Sequence, residues 1–159
     1  MIILVWLKLN SFFDPVREKN VSALPEEIVR QKLIKLLIDE LGYPKSLIAV
    51  EFNLSKLKHV NLQDICHYKR RADIICFARN IHENYDVYPM LLIECKACKI
   101  TNSVFRQVEG YNSIVKSYFY SVANNDEIYT CWIDPSTKKT KKVPCLPKYN
   151  ELLSAINGK

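Results

Sequence analysis

A chain of 159 residues, 48% hydrophobic and 25% charged, has the length and composition of one folded domain. Lys and Arg outnumber Asp and Glu by 23 to 17, a formal charge of +6 that favours a polyanionic partner. Its three glycines, Gly42, Gly110 and Gly158, lie too far apart to build a phosphate-cradling loop. That excludes P-loop motors and dinucleotide-binding Rossmann enzymes and leaves no expected role for ATP.

In chain order, the apolar run Met1 to Leu7 is ended by Lys8 and Asn10 well short of a membrane span. It lacks the basic start and small-residue cleavage site of a secretory signal. The run is predicted to be a strand or packing arm, and the chain is expected to be cytoplasmic with no membrane partner. Pro25-Glu26-Glu27 predicts a helix start, with proline in the first turn and acids against the positive end of the dipole. Val29, Leu33, Leu36, Leu37 and Leu41 follow at helical spacing until Gly42 and Pro44 stop the run, giving a helix over 25–41. Leu47 to Phe52 alternates as a strand does, and the basic stretch from Leu54 to Arg71 predicts a loop or irregular hairpin.

Asp73 to Phe77 and Met90 to Lys96 read as strands joined by a polar segment, Arg79 to Pro89. Ser103 to Lys116 predicts a second helix, with Val104, Val108, Tyr111 and Val115 on one stripe. Tyr118 to Val122 and Ile128 to Ile133 are two more predicted strands. Lys138 to Lys142 predicts the exposed tip of a turn, and Pro147 to Ile156 a short terminal helix. This order predicts an α/β sandwich, a mixed sheet with helices on both faces, in a single domain spanning 1–159.

The six cysteines are expected to be reduced thiols, several of them in apolar stretches such as Ile74-Ile75-Cys76-Phe77. Cys95 and Cys98 form a CxxC, but no second ligand pair accompanies it, so neither zinc nor a disulfide is expected.

The residues that carry chemistry are Asp73, Glu94 and Lys96. Glu94 and Lys96, two apart on a strand, leave the same face. If the two strands pair antiparallel with Asp73 opposite Glu94, Ile75 falls opposite Leu92 and Phe77 opposite Met90. One register then aligns an apolar stripe and gathers two carboxylates and an ammonium at its end. Two adjacent carboxylates repel unless something positive lies between them, and a hard divalent cation such as Mg²⁺ does this with oxygen ligands and water. Lys96 would hold water or stabilise charge growing on a phosphate. The bland reading keeps all three as solvated strand-end residues, with Asp73 paired to Arg71.

Three segments together resemble a known superfamily: Arg71-Ala72-Asp73-Ile74-Ile75, Leu91-Leu92-Ile93-Glu94-Cys95-Lys96-Ala97 and Gln107-Val108-Glu109-Gly110-Tyr111. They look like the PD-(D/E)XK nucleases, and more narrowly like the N-terminal nuclease domain of type I restriction-enzyme R subunits and its small stand-alone relatives. Pro25-Glu26-Glu27-Ile28-Val29-Arg30-Gln31 and Leu41-Gly42-Tyr43-Pro44 also fit that family's opening helix. The match runs from about residue 20 to 125, leaving a C-terminal hairpin and short helix over 126–159.

The resemblance implies a restriction-endonuclease-like three-layer sandwich and Mg²⁺-dependent cleavage of DNA, with Mn²⁺ as the alternative ion. Asp73, Glu94 and the backbone carbonyl of Cys95 would ligate the metal, and Lys96 would be the catalytic lysine. Gln107 and Tyr111 match the QxxxY helix, Gln107 toward catalysis and Tyr111 toward DNA. The additional helix acid would be Glu27 or Glu26; Glu27 is chosen because Arg30 and Gln31 share its face, the alternative being dipole complementation. Where the family commonly has Asn-Gly after the fourth strand this chain has Asn124-Asn125, and Asn tolerates the left-handed turn conformation. No counterpart of the family's motor domain is present, so cleavage is expected to be motor-independent or directed by a separate motor or specificity protein.

Lys56, Lys58, His59, His67, Lys69, Arg70 and Arg71 cluster ahead of Asp73, as backbone-phosphate contacts near a metal should. Lys69, Arg70 and Arg71 are the expected DNA-binding residues. The leading expectation is thus a metal-dependent DNA endonuclease. The alternatives are a non-catalytic DNA- or partner-binding module that keeps the fold and a nuclease acting on RNA.

Overall fold

Residues 10–61, 63 and 71–158 are described by the computed structural model of the chain. The predicted arm Met1 to Leu7 and the residues His67, Lys69 and Arg70 lie outside them.

An N-terminal hairpin, β1 (Ser11–Asp14) and β2 (Lys19–Ser22), precedes helix α1 (Pro25–Asp39). Strands β3 (Ile48–Asn53), β4 (Arg71–His82) and β5 (Tyr85–Cys95) follow, then helix α2 (Asn102–Val115). Strands β6 (Phe119–Ala123), β7 (Ile128–Ile133) and β8 (Thr140–Val143) lead to helix α3 (Tyr149–Asn157). Strands β3 to β8 form one six-stranded sheet in chain order, antiparallel throughout except for the parallel β5–β6 pair that α2 connects.

Alternation along the strands divides the core. Leu91, Ile93 and Cys95 of β5 face Val29, Leu33 and Leu37 of α1 and Leu152 and Ile156 of α3. Leu92, with Ile75, Tyr120 and Val122, faces Val108, Tyr111 and Val115 of α2. Helices therefore cover both faces of a mixed sheet, the sandwich that the pattern predicts, consistent with the restriction-endonuclease-like fold that the resemblance implies. Gly42 ends the α1 region at φ +72°, and Tyr43 turns back into the core with its hydroxyl donating to Pro147 O at 2.9 Å.

Four local expectations are corrected. The polar segment Arg79 to Pro89 is not a loop, because β4 runs to His82 and β5 starts at Tyr85. Aromatic packing extends both strands: His82 stacks on Tyr88 with ring centroids 4.3 Å apart. Ile75 does face Leu92, but Phe77 faces Pro89 instead of Met90, since the register shifts after Cys76. Proline has no N–H for the ladder and marks such a bulge. The Lys138–Lys142 run is not all turn either. Thr140–Val143 forms the edge strand β8, with Lys142 Nζ 4.8 Å from the Phe105 ring centroid, and a lysine-rich edge discourages further strand pairing. The Asn124-Asn125 turn needs no left-handed residue, because Asn124 Oδ1 accepts the N–H groups of Asp126 and Glu127 at 2.8 and 2.7 Å.

Candidate active site

The ladder between β4 and β5 pairs Ile74 with Ile93, so the next residues outward, Asp73 and Glu94, are cross-strand neighbours. Both are buried, at 2% and 6% exposure. Asp73 Oδ2 accepts the backbone N–H of Cys95 at 2.8 Å, which fixes the carboxylate to the end of β5. Lys96 Nζ stands 3.0 Å from Glu94 Oε1, confirming that the two side chains share a face. Lys96 is 16% exposed along its side chain, enclosed more than a strand-end lysine is expected to be.

Asp73 does not pair with its neighbour Arg71, which is exposed. Among the described residues its ion-pair partner is Arg30 of α1, whose Nη2 donates to Asp73 Oδ1 at 2.7 Å. Arg30 Nη1 donates to Glu27 Oε2, and Glu27 Oε1 accepts from Arg17 Nη2 and from Gln31 Nε2 at 2.9 Å. Glu27 is thus buried and turned toward this network, whereas Glu26 is exposed. Arg17, in the turn of the N-terminal hairpin, also contacts Asp14 Oδ2 at 2.6 Å and Glu51 Oε2 at 3.0 Å.

Glu51 completes a row. It lies between the pairs Val50–Ile74 and Phe52–Ala72, which sets it beside Asp73 on the opposite side from Glu94. Its φ of +48° breaks the ladder at that point, a conformation costly for a side-chain-bearing residue and concentrated at functional sites. Among the described residues, ion pairs link five carboxylates (Asp14, Glu27, Glu51, Asp73, Glu94) with three cations (Arg17, Arg30, Lys96).

From the other helical layer, Tyr111 brings its hydroxyl toward the same end of the sheet. Burial raises its pKa first, and the charges of Glu94 and Asp73 raise it further. That hydroxyl is buried and has no hydrogen-bond partner among the described residues. Gln107, one turn earlier on α2, is exposed. Burial opposes the charge on Arg30, but Asp73 and Glu27 outweigh it and raise its pKa, so Arg30 remains a cation. Burial likewise opposes ionisation of Asp14, yet the Arg17 N–H, the Arg17 guanidinium and Gln31 hold its pKa below the ordinary value.

A depressed carboxyl pKa stabilises the fold above the unfolded pKa and ceases to do so as pH falls through the folded one. Asp14→Asn is therefore expected to cost about 1–3 kcal/mol at pH 7. The difference from wild type should shrink below pH ~4, as urea melts at a series of pH values would show.

The donor set suits a hard cation. Buried carboxylate oxygens and, among the described residues, an orphaned hydroxyl match an ion that completes its shell with a carbonyl and water. Among the described residues no group of three or more His, Cys, Asp or Glu side chains is arranged to hold a metal unaided. The shell would have to use backbone and solvent oxygens. The CxxC is divided, with Cys95 buried and Cys98 exposed, and burial pushes the Cys95 thiol well up.

The model of the family described as type I restriction enzyme R protein N terminus matches residues 25–147. The chain belongs to this family. No curated protein and no solved structure matches it. The match spans α1 to β8 and includes Glu27, Arg30, Glu51, Asp73, Glu94, Lys96, Gln107 and Tyr111. The hairpin that supplies Asp14 and Arg17 precedes the matched residues.

Of the expected site residues, Glu27, Asp73, Cys95, Glu94, Lys96 and Tyr111 converge at one end of the sheet. Lys69 and Arg70 fall outside the described residues. Lys56, Lys58 and His59 line, with Arg79, a groove of about 540 Å³ bordered by Phe52 and Phe77. Asp14, Arg17 and Glu51 were not anticipated. The turn signal Asp14-Pro15 and the i, i+3 pairing of Glu27 with Arg30 were the only local clues to them. Among the described residues, no helix is long and apolar enough to cross a membrane.

Proposed function

We propose that the chain is a metal-dependent DNA endonuclease of the type I restriction R-subunit family. The observation that carries this reading is the meeting of Asp73, Glu94 and Lys96 at the sheet end inside a cluster of buried carboxylates. Mg²⁺ or Mn²⁺ would be held by Asp73, Glu94 and the Cys95 carbonyl, and when bound would polarise a phosphodiester and acidify a water. Lys96, the cation on the Glu94 side, orients water and stabilises charge on the phosphate oxygens. Gln107, exposed on α2, would assist catalysis, and Tyr111, one turn later with a buried hydroxyl, would face the DNA. Lys69, Arg70 and Arg71, with the basic groove around Lys56 and Lys58, neutralise backbone phosphates. A separate motor or specificity protein could direct the activity.

One observation favours a second reading, a DNA- or partner-binding module. Both metal-site carboxylates already hold an internal cation, Asp73 through Arg30 and Glu94 through Lys96. Incubating purified protein with supercoiled, linear and single-stranded DNA, with Mg²⁺, Mn²⁺ or EDTA, decides between them. The nuclease reading expects metal-dependent nicking that EDTA abolishes. Tight binding with no cleavage under any ion favours the module.

A further inference from the structure

We propose that Arg30 is a positioning residue that stands in for the metal: its guanidinium holds Asp73 in the metal-free protein and competes with the divalent cation for that carboxylate. The inference rests on the metal-site reading above and adds a control on how readily the site is filled.

Asp73 is exposed by only 2%, with Glu94 across one strand and Glu51 beside it on the other, a setting that favours a cationic partner. Among the described residues Arg30 donates to its Oδ1, while the Cys95 N–H donates to Oδ2. The guanidinium is held from behind, since Glu27 grips Nη1 and is itself held by Arg17 and Gln31. Asp73 is therefore held in one orientation by two donors, which suits a preorganised ligand. The same contact carries a cost for the incoming ion. A dication on Asp73 must share or displace a hydrogen bond to a fixed cation, within a few ångströms of that cation's charge. Arg30 Nε is buried and makes no hydrogen bond to a described group, so Arg30 is held chiefly through its two carboxylates and not through a complete donor set. Loss of one carboxylate contact to a metal leaves the Glu27 anchor intact.

Competition and simple scaffolding predict opposite signs. If Arg30 merely supports the site, any change there disorders Asp73 and weakens metal binding. If it competes, neutralising it strengthens binding. Arg30→Gln keeps a donor toward Asp73 and leaves Glu27 its Arg17 and Gln31 partners, so the network can still close. Arg30→Lys keeps the charge but loses the two-carboxylate fork.

The test is calorimetric titration of Mn²⁺ and of Mg²⁺ into the whole chain without DNA, for wild type, Arg30→Gln, Arg30→Lys and Asp73→Asn, with melting curves to confirm folding. Arg30→Gln should bind metal about tenfold or more tightly, the scale of removing one charge at this range. Arg30→Lys should stay within about threefold of wild type, and Asp73→Asn should lose binding. Unchanged or weaker binding by folded Arg30→Gln overturns the proposal. So does a tenfold loss in Arg30→Lys, which decides the matter if Arg30→Gln does not fold. Both of those outcomes leave the metal site standing if Asp73→Asn abolishes wild-type binding. Absence of any wild-type binding removes the metal site and the proposal together.

Discussion

Lys96→Ala is expected to lower DNA cleavage about 10²–10³-fold, the usual effect of deleting one preorganised electrostatic group from an active site. Its side chain is mostly enclosed, and Nζ lies 3.0 Å from Glu94 Oε1, so the ammonium is fixed before substrate arrives. Removing it deletes a positive charge beside Glu94, which should preserve or raise metal affinity. The loss therefore cannot be ascribed to an empty metal site. DNA affinity should change little, because Lys96 is one of many cationic contacts available to the backbone. Stability should fall, by about 1–3 kcal/mol, since Glu94 is 6% exposed and loses a charged partner. Bound Mg²⁺ should restore part of that loss by mass action. Asp73→Asn differs in kind: its cleavage defect should run through metal affinity and yield in part to added Mn²⁺, whereas Lys96→Ala should not be rescued. Nicking rates on supercoiled DNA across a metal titration, beside melting curves, distinguish the two. Unimpaired cleavage by Lys96→Ala would remove the lysine from the mechanism.

The parts of this site that could be read from the sequence are those with a short-range signature. Helix α1 was expected over 25–41 and spans Pro25–Asp39, because proline, two acids and a leucine stripe all act within a few residues. The Asp73–Glu94 neighbourhood followed from matching two apolar strands, and Ile75 does face Leu92. That match failed at Phe77, where a proline in the partner strand shifts the ladder, and a bulge leaves only a weak trace in alternation. The charge network was hidden for a different reason. Arg17 meets Glu51 across 34 residues of chain, and Arg30 meets Asp73 across 43. Ion pairs at that separation depend on tertiary packing and leave no periodicity. Arg30 and Gln31 were read only as sharing the face of Glu27; both are buried, because the N-terminal hairpin covers that face with Asp14 and Arg17. Glu51 was equally silent, its importance coming from a backbone twist at φ +48° that no residue preference announces.

Arg17→Ala is expected to be the most destabilising single change in this network, by about 3–5 kcal/mol, the cost of removing one member from a buried ionic cluster. Three carboxylates lose a partner at once. Asp14 is fully buried and keeps Gln31 as a side-chain donor, Glu27 keeps Arg30 and Gln31, and Glu51 keeps only a longer approach to Arg30 at 3.8 Å. The hairpin then loses its ionic anchor. Among the described residues its two strands pair with each other and not with the main sheet, and its remaining apolar anchors include Phe12 at 7% exposure and Val16 packed on the main core. Amide exchange in β1 and β2 should accelerate by orders of magnitude, while amides of β4 and β5 remain protected by the central sheet. Freed from Arg17, Glu27 should draw Arg30 closer and loosen its hold on Asp73. The hairpin, about fifty residues and more from either carboxylate of the proposed metal site in sequence, would then affect metal affinity without touching the metal. Arg17→Lys separates charge from geometry, because a point charge can serve one of the three acids but not all of them. It should recover less than half of the lost stability, measured by urea denaturation at pH 7. Full recovery would mean that net charge alone, and not the three-way fork, holds the hairpin in place.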